Sequence, residues 1–484
     1  MTKTSHSSTF VRSTDLLLWR RGDSRVQGEC RSPETSSRAG FLALVILLGL
    51  AVSVPTSAQE TTAREEPLPA SLDSLVTHAM AVHPSVRAAM ERIASARAAI
   101  GPAGALPDPM LAVGISNFPV SEPGFEDFMT MKMVGVGQMV PYPGKLALSR
   151  QVAQWDLAVA EARLREARLS VAEDVRRAFY ELAFLDQATE IVGRNQDLLD
   201  NLIRLSEARY AVGTGAQTDV LTARVEMARL AEQAVTLAER RRAALARLNA
   251  ALDRPSETPI EAPDIPVRIA RAAVSDDPAQ VRFVSAALGS RAADSPLPPL
   301  MELQETALGL SPLILAHQAM IDAQGARVAL ARKEHLPDFD LSLQYGQRDG
   351  RSDMVSAMVS ISLPLRKSQR QDLLVREAEA RLAALHAEHA RQANDLRAEI
   401  ASAYSDLERE RAQLALFVKS IIPQGRAALE SATASYQVGR VGFLALLESQ
   451  ATLYGYETQY HRALADFASR LAELERVVGG EVLR

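Results

Sequence analysis

From Lys145 to Val212 the chain runs 68 residues without a proline and with a single glycine, Gly193. Apolar residues recur through this stretch at helical spacing, at Leu157, Leu164, Val171, Val175, Phe179, Leu182 and Leu185. At the rise of an α-helix such a segment spans about 100 Å, far longer than a helix that folds back on a globular core. A second segment, Ser368 to Val438, is its counterpart. It places Leu396, Ile400, Leu407 and Leu414 on one stripe and carries Pro423, where a kink or break is expected.

These two segments belong to an internal repeat with an offset near 225 residues. His83-Pro84-Ser85 answers Ser311-Pro312-Leu313, and Leu106-Pro107-Asp108 answers Leu336-Pro337-Asp338. Val140-Pro141 answers Leu363-Pro364, and Tyr210-Ala211-Val212-Gly213 answers Tyr436-Gln437-Val438-Gly439. Four landmarks in one order divide the chain into a first repeat at 59–254, a linker or small equatorial piece at 255–299, and a second repeat at 300–484. Each repeat reads helix, strand, strand, long helix, glycine-containing turn, helix. The long helices are expected at 145–212 and 368–438, the tips at 213–217 and 439–442, and the returning helices at 216–254 and 443–478. The short helices near 71–100 and 216–254 together match the length of the long helix between them, as do 300–333 and 443–478 in the second repeat. Each long helix can therefore pair along its whole length with two short ones stacked end to end, and stripes that are in part seven-residue favour left-handed packing.

The short segments between the helices alternate with period two. Phe339, Leu341, Leu343 and Tyr345 interleave with Asp340, Ser342, Gln344 and Gly346, and Val355, Ala357, Val359, Ile361 and Leu363 interleave with Ser356, Met358, Ser360 and Ser362. A strand with lipid on one side and a watery lumen on the other needs this pattern. Strands are expected at 338–347 and 354–364, joined by the fully polar loop 347–353. The first repeat shows the pattern less cleanly at 108–118 and 128–140. There Met129, Met131, Met133 and Met139 share a face with Gly135 and Gly137, opposite Thr130, Lys132, Val134, Val136 and Gln138. Four strands cannot close a membrane barrel, since the smallest have about eight. Three copies would give twelve. The alternative is a soluble β-ribbon packed on helices, which leaves the length of the helices unexplained.

Composition agrees with long helices packed through small side chains, with 47% apolar residues but only 5% aromatic ones. A formal charge of -5, with no basic patch, argues against nucleic-acid binding. Phe41 to Val54 is apolar, follows Arg31 and Arg38, and precedes Thr56-Ser57-Ala58. It reads as a secretory signal cleaved after Ala58, within a leader segment 1–58. A short membrane anchor is the other reading, although a bilayer needs about 20 apolar residues. The length ahead of Arg38 leaves open a start codon downstream of Met1. Cys30, the single cysteine, would be lost on processing. No run of 18 apolar residues follows residue 60, so a mature chain that crosses a membrane must do so as strands.

The sequence resembles the TolC-like outer-membrane efflux protein family over nearly all of residues 66–480. The likeness is carried by the duplicated helix-strand-strand-helix order, the two Leu-Pro-Asp strand entries, and the paired turns that begin at Tyr210 and Tyr436. Gln138-Met-Val-Pro-Tyr-Pro-Gly144-Lys145-Leu146 is similar to the CzcC-like heavy-metal branch. The resemblance implies a mainly α fold with a four-stranded β contribution to a trimeric, twelve-stranded transmembrane barrel in the outer membrane of a Gram-negative bacterium, continued by a periplasmic helical tunnel. It implies docking to a periplasmic adaptor protein and an inner-membrane efflux pump, with passive conduction of the cargo.

Gly213, Thr214, Gly215, Gly439, Arg440 and Gly442 match the adaptor-docking tips. Thr218 and Asp219 match positions that bond to the neighbouring tip through a tyrosine, here Tyr436. Glu448 and Ala445 stand where the family's best-studied member has two acidic residues facing the pore, so a full acidic ring is not expected. For each tip glycine a plain helix terminator is the alternative reading, and for Asp219 an N-terminal cap or first-turn acid. Both can hold.

No enzyme signature is found. Gly144-Lys145-Leu146 lacks the other elements of a phosphate-cradling loop, and Gly135-Val-Gly137 lacks the third glycine of a dinucleotide fingerprint. His386 and His389, at i and i+3, read as a solvated helix face in preference to a metal pair, because no third ligand is evident. No cofactor or catalytic residue is expected. The rival class is a periplasmic adaptor or coiled-coil scaffold, which normally carries one hairpin, whereas this chain has two hairpins and two strand pairs.

Overall fold

The computed structural model describes residues 71–120, 124–260, 265–274 and 297–483. The expected signal segment 1–58 lies outside the described residues, as do 261–264 and 275–296 of the equatorial segment. The first repeat comprises α1 (Leu72–Val82), α2 (Pro84–Ala103), β1 (Met110–Ser116), β2 (Met131–Val140), α3 (Lys145–Ala211) and α4 (Gln217–Ala251). After a short helix α5 (Val267–Ala273), the second comprises α6 (Leu300–Leu310), α7 (Pro312–Lys333), β3 (Phe339–Gln347), β4 (Met354–Ile361), α8 (Gln371–Leu416), α9 (Ile422–Gln437) and α10 (Phe443–Val478).

Three of the expected helices are interrupted, each at a proline: 71–100 and 300–333 read as continuous from the sequence, whereas a kink or break is expected at Pro423. His83 is extended, as a residue before proline must be, and its ring accepts a hydrogen bond from the Ser85 amide while Pro84 opens α2. Ser311 and Pro312 repeat the break between α6 and α7. In the second long helix the break is a π-helical turn, Phe417–Ile421, where the Ile422 amide reaches back five residues to the Phe417 carbonyl. The wider turn makes room for the Pro423 ring, which lacks an N–H and would clash with the preceding turn of a regular helix. The segment 255–299, read as a linker, holds α5 in its described part.

α3 lies against α2 and α4, which follow each other along it, and also against α7 and α10 of the second repeat. Its middle carries the main core, where Val175, Phe179, Leu182 and Leu185 meet Ile400, Leu407, Phe467, Leu471 and Leu474. Charges bolt α10 to α3 at the same level. Arg176 donates to Glu475 at 2.9 Å, and Arg476 reaches Glu173 at 2.6 Å and Glu166 at 3.0 Å. Burial pushes the Glu475 carboxyl above its ordinary range, and the neighbouring Arg176 opposes that shift.

The four strands form one antiparallel sheet in the order β1-β2-β3-β4. The two repeats join side by side in it, β2 of the first pairing with β3 of the second. Lys145, at the first strand-to-helix junction, is buried and places its ammonium 2.9 Å from Asp338 and 3.3 Å from Glu334, at the helix-to-strand junction of the second repeat. Asp338 also accepts the Tyr142 amide at 2.7 Å. Replacing Lys145 with methionine strands this carboxylate, and the change is expected to cost about 3 kcal/mol. A lowered denaturant midpoint of the purified protein would show it, and an unchanged midpoint would contradict it.

Candidate functional site

Register decides which side of the sheet faces what. Val113, Val134, Tyr345 and Val355 lie in one row, and Leu111, Val136, Leu343 and Ala357 in the next, with Leu341, Val359, Phe339 and Ile361 continuing the same face. The opposite face carries Ala112, Gly135, Gln344 and Ser356 in one row and Gly137, Ser342 and Met358 in another. The methionines of β2 therefore share a face with Ser342 and Gln344. Val134 and Val136 continue the apolar face. Three polar residues sit on that face near its ends, Gln138, Lys132 and the cross-strand partner of Lys132, Gln347. Gln138 donates to the Pro107 carbonyl at 2.7 Å, and the Lys132 ammonium lies 4.8 Å from the Phe125 ring centre.

Leu111, Val113, Val355 and Val359 are 63 to 77% exposed, a degree that water does not favour across a whole sheet face. β1 and β4 moreover present unpaired edges, each a template for pairing with another strand. Among the described residues no helix is long and apolar enough to cross a membrane.

At the other end of α3 the two hairpin tips are built alike. Gly213 and Gly439 adopt positive φ of 78° and 73°, the left-handed conformation that glycine takes without strain. The amides that follow close each helix by the same pair of bonds. Thr214 donates to the Arg209 carbonyl and Gly213 to that of Tyr210, while Arg440 donates to Ser435 and Gly439 to Tyr436. This is the Schellman arrangement, formed twice. Gly215 has no room for a side chain, since a Cβ there would lie 3.0 Å from the Arg209 Cβ and the Tyr210 amide. Gly442 is the exposed cap of α10, with open space around it.

Tyr436 is the anchor of the tip core. It is 2% exposed and packs with Phe443, Leu446, Leu447, Leu199 and Leu202. The guanidinium of Arg209 lies 4.6 Å from the centre of its ring and donates to both the Tyr436 and the Thr214 carbonyls. Arg209 thus ties the first tip to the second. Burial pushes the Tyr436 hydroxyl above its ordinary pKa, the nearby Asp219 adds to the shift and Arg209 opposes it. The hydroxyl oxygen is buried with no hydrogen-bond partner within the chain. The expected bond to Thr218 or Asp219 is therefore not made inside one subunit. Thr218 is exposed, Asp219 half-buried in the first turn of α4, and Glu448 exposed on α10. The geometry brings Asp219 and Tyr436 together. It does not join Glu448 to them by a hydrogen bond or an ion pair.

Arg209 carried no sequence signal. It is one arginine among many on a helix, and its partner lies 227 residues away. Elsewhere, His389 faces His317 across α7 and α8, each with a buried Nδ1 lacking a partner, and burial lowers the His317 pKa. Among the described residues no three histidine, cysteine or carboxylate side chains converge on a metal position.

A sheet apolar on one face, open at both edges, and held at the end of a long double hairpin defines the class of outer-membrane ducts. The family comparison agrees, since residues 75–254 and 303–480 match the model of the outer membrane efflux protein family, and the chain belongs to that family. It is similar to the cobalt-zinc-cadmium resistance protein CzcC of Cupriavidus metallidurans, with 22% identity over 86% of this chain and 91% of that protein. Among solved structures it resembles the outer-membrane channel OprN, with a TM-score of 0.69 and 20% identity over 85% of this chain and 91% of that one. The outer membrane protein VceC of Vibrio cholerae is similar too, with a TM-score of 0.67 and 22% identity over 85% of this chain and 96% of that one.

Proposed function

We propose that three copies of this chain close their sheets into a twelve-stranded barrel and act as the outer-membrane channel of a tripartite efflux system. The observation that carries this reading is the sheet itself, with one continuous apolar face and two unpaired edges. An inner-membrane pump supplies the energy and a periplasmic adaptor docks on the tips. Gly213, Thr214, Gly215, Gly439, Arg440 and Gly442 form that docking surface, and their exposure, Gly215 apart, supports the assignment. Conduction is passive, without bond chemistry.

Thr218, Asp219, Tyr436 and Glu448 form the periplasmic gate in this proposal, with the unpartnered Tyr436 hydroxyl available to a residue of the next copy. Similarity to CzcC supports metal cations as the cargo class. A ring of three carboxylates in a narrow mouth favours cations over anions. In planar bilayers, Glu448→Ala is expected to lower cation preference and Asp219→Ala to raise conductance. Wild-type values for both variants would remove the gate assignment.

A further inference from the structure

The face of the sheet opposite the lipid-grade one carries six thioethers, at Met110, Met131, Met133, Met139, Met354 and Met358, among glycines, serines and Gln344. They fall into two tiers. In the tier next to the β1–β2 and β3–β4 loops, Gly346 is the direct cross-strand partner of Met133 on one side and of Met354 on the other. The Met131 sulfur already lies over this glycine, 3.1 Å from where a Cβ would stand. Three unbranched side chains therefore surround a backbone position that has no side chain of its own.

Met133 and Met354 are two strand spacings apart, about 10 Å. Each side chain is flexible enough to lean inward over the gap that Gly346 leaves. Arg348, next in the chain past Gln347, is turned onto the Ser352 carbonyl oxygen.

We propose that Met131, Met133 and Met354 form a thioether site over Gly346 that takes a soft monovalent cation, Cu(I) or Ag(I). Neutral thioether sulfur is a soft donor that suits Cu(I), whereas zinc is held by thiolate, imidazole and carboxylate and magnesium or calcium by oxygen. No thiolate, imidazole or carboxylate of this tier competes for the ion in the paired strands. The site lies in the lumen if the channel reading holds, and would pass a soft ion along the wall. All three methionines nonetheless belong to one chain, on positions that flank Gly346 in the strand register, so binding can be measured apart from conduction.

The test is a titration of the detergent-purified full chain, labelled with 13C at the methionine methyls, with Ag(I). The Met131, Met133 and Met354 methyl signals are expected to shift together and saturate at one ion per chain, with no response to Zn(II). Met133→Leu, which keeps the volume, is expected to weaken binding by more than about tenfold, since even residues that only support metal ligands are worth that much. Gly346→Val, which places carbon against the Met131 sulfur, is expected to abolish the joint shift.

Equal small shifts at all six methionines would overturn the site and indicate a merely apolar lining. No saturable shift, or a shift confined to Met110, Met139 and Met358, would overturn it too. Intact conductance without Ag(I) binding removes this site alone, and Ag(I) binding without conductance removes the channel reading alone.

Discussion

Replacing Leu343 with arginine is expected to abolish assembly in the outer membrane, while the same change at its neighbour Ser342 leaves assembly intact. Leu343 is the middle residue of β3, paired with Val136 on one side and Ala357 on the other, in the centre of the apolar face. An arginine at the bilayer midplane of a barrel costs about 2 to 4 kcal/mol. Three copies pay it together, a total comparable with the whole stability of an ordinary domain. Ser342 points to the opposite face, beside Gly137 and Met358, where a guanidinium stays in water. Heat-resistant oligomer in the outer-membrane fraction should vanish for Leu343→Arg and persist for Ser342→Arg. Loss in both, or in neither, would mean that the faces have been assigned wrongly.

At the tips, Arg209→Ala is expected to raise the open probability of the channel by an order of magnitude or more. The guanidinium stacks on the Tyr436 ring and donates to the Tyr436 carbonyl of the second hairpin and the Thr214 carbonyl of its own, at tips whose shared core is apolar and whose next polar tie is Gln450 donating to the Asn195 carbonyl. A partly desolvated cation-π contact is worth about 2 kcal/mol, a bias that corresponds to roughly thirtyfold in a two-state equilibrium. Arg209→Lys keeps the charge but loses the planar stacking, so it should fall between wild type and alanine. Tyr436→Phe separates the two roles of the tyrosine. Within one chain the change removes only an unpartnered hydroxyl and should leave folding stability unchanged or slightly higher. A rise in conductance with unchanged stability would show that the hydroxyl is used between copies. Single-channel recordings that do not differ between wild type and Arg209→Ala would contradict the latch.

What sequence reading could and could not reach follows the range of the interactions. The long helices, the two strand pairs and the tip glycines rest on local chemistry, namely spacing, alternation and the left-handed turn, and each left a mark within a few residues. Proline marked the breaks at His83, Ser311 and Phe417–Ile421, but the form of the third, a π turn lying ahead of Pro423, depends on how the carbonyls before it are satisfied. The orientation of β2 was ambiguous because methionine and valine are both apolar. Only pairing with Phe339–Gln347 shows that Val134 and Val136 continue the lipid face. The bonds of Lys145 to Asp338 and of Arg209 to Tyr436 join residues about 190 and 230 positions apart, and no local pattern encodes such a partner.

Native mass spectrometry of the detergent-extracted protein bears most directly on whether the open sheet closes between copies. A particle of three chains that stays together until the detergent-embedded strands unfold is the expected result. A single chain, stable in water once the detergent is withdrawn, would contradict the account.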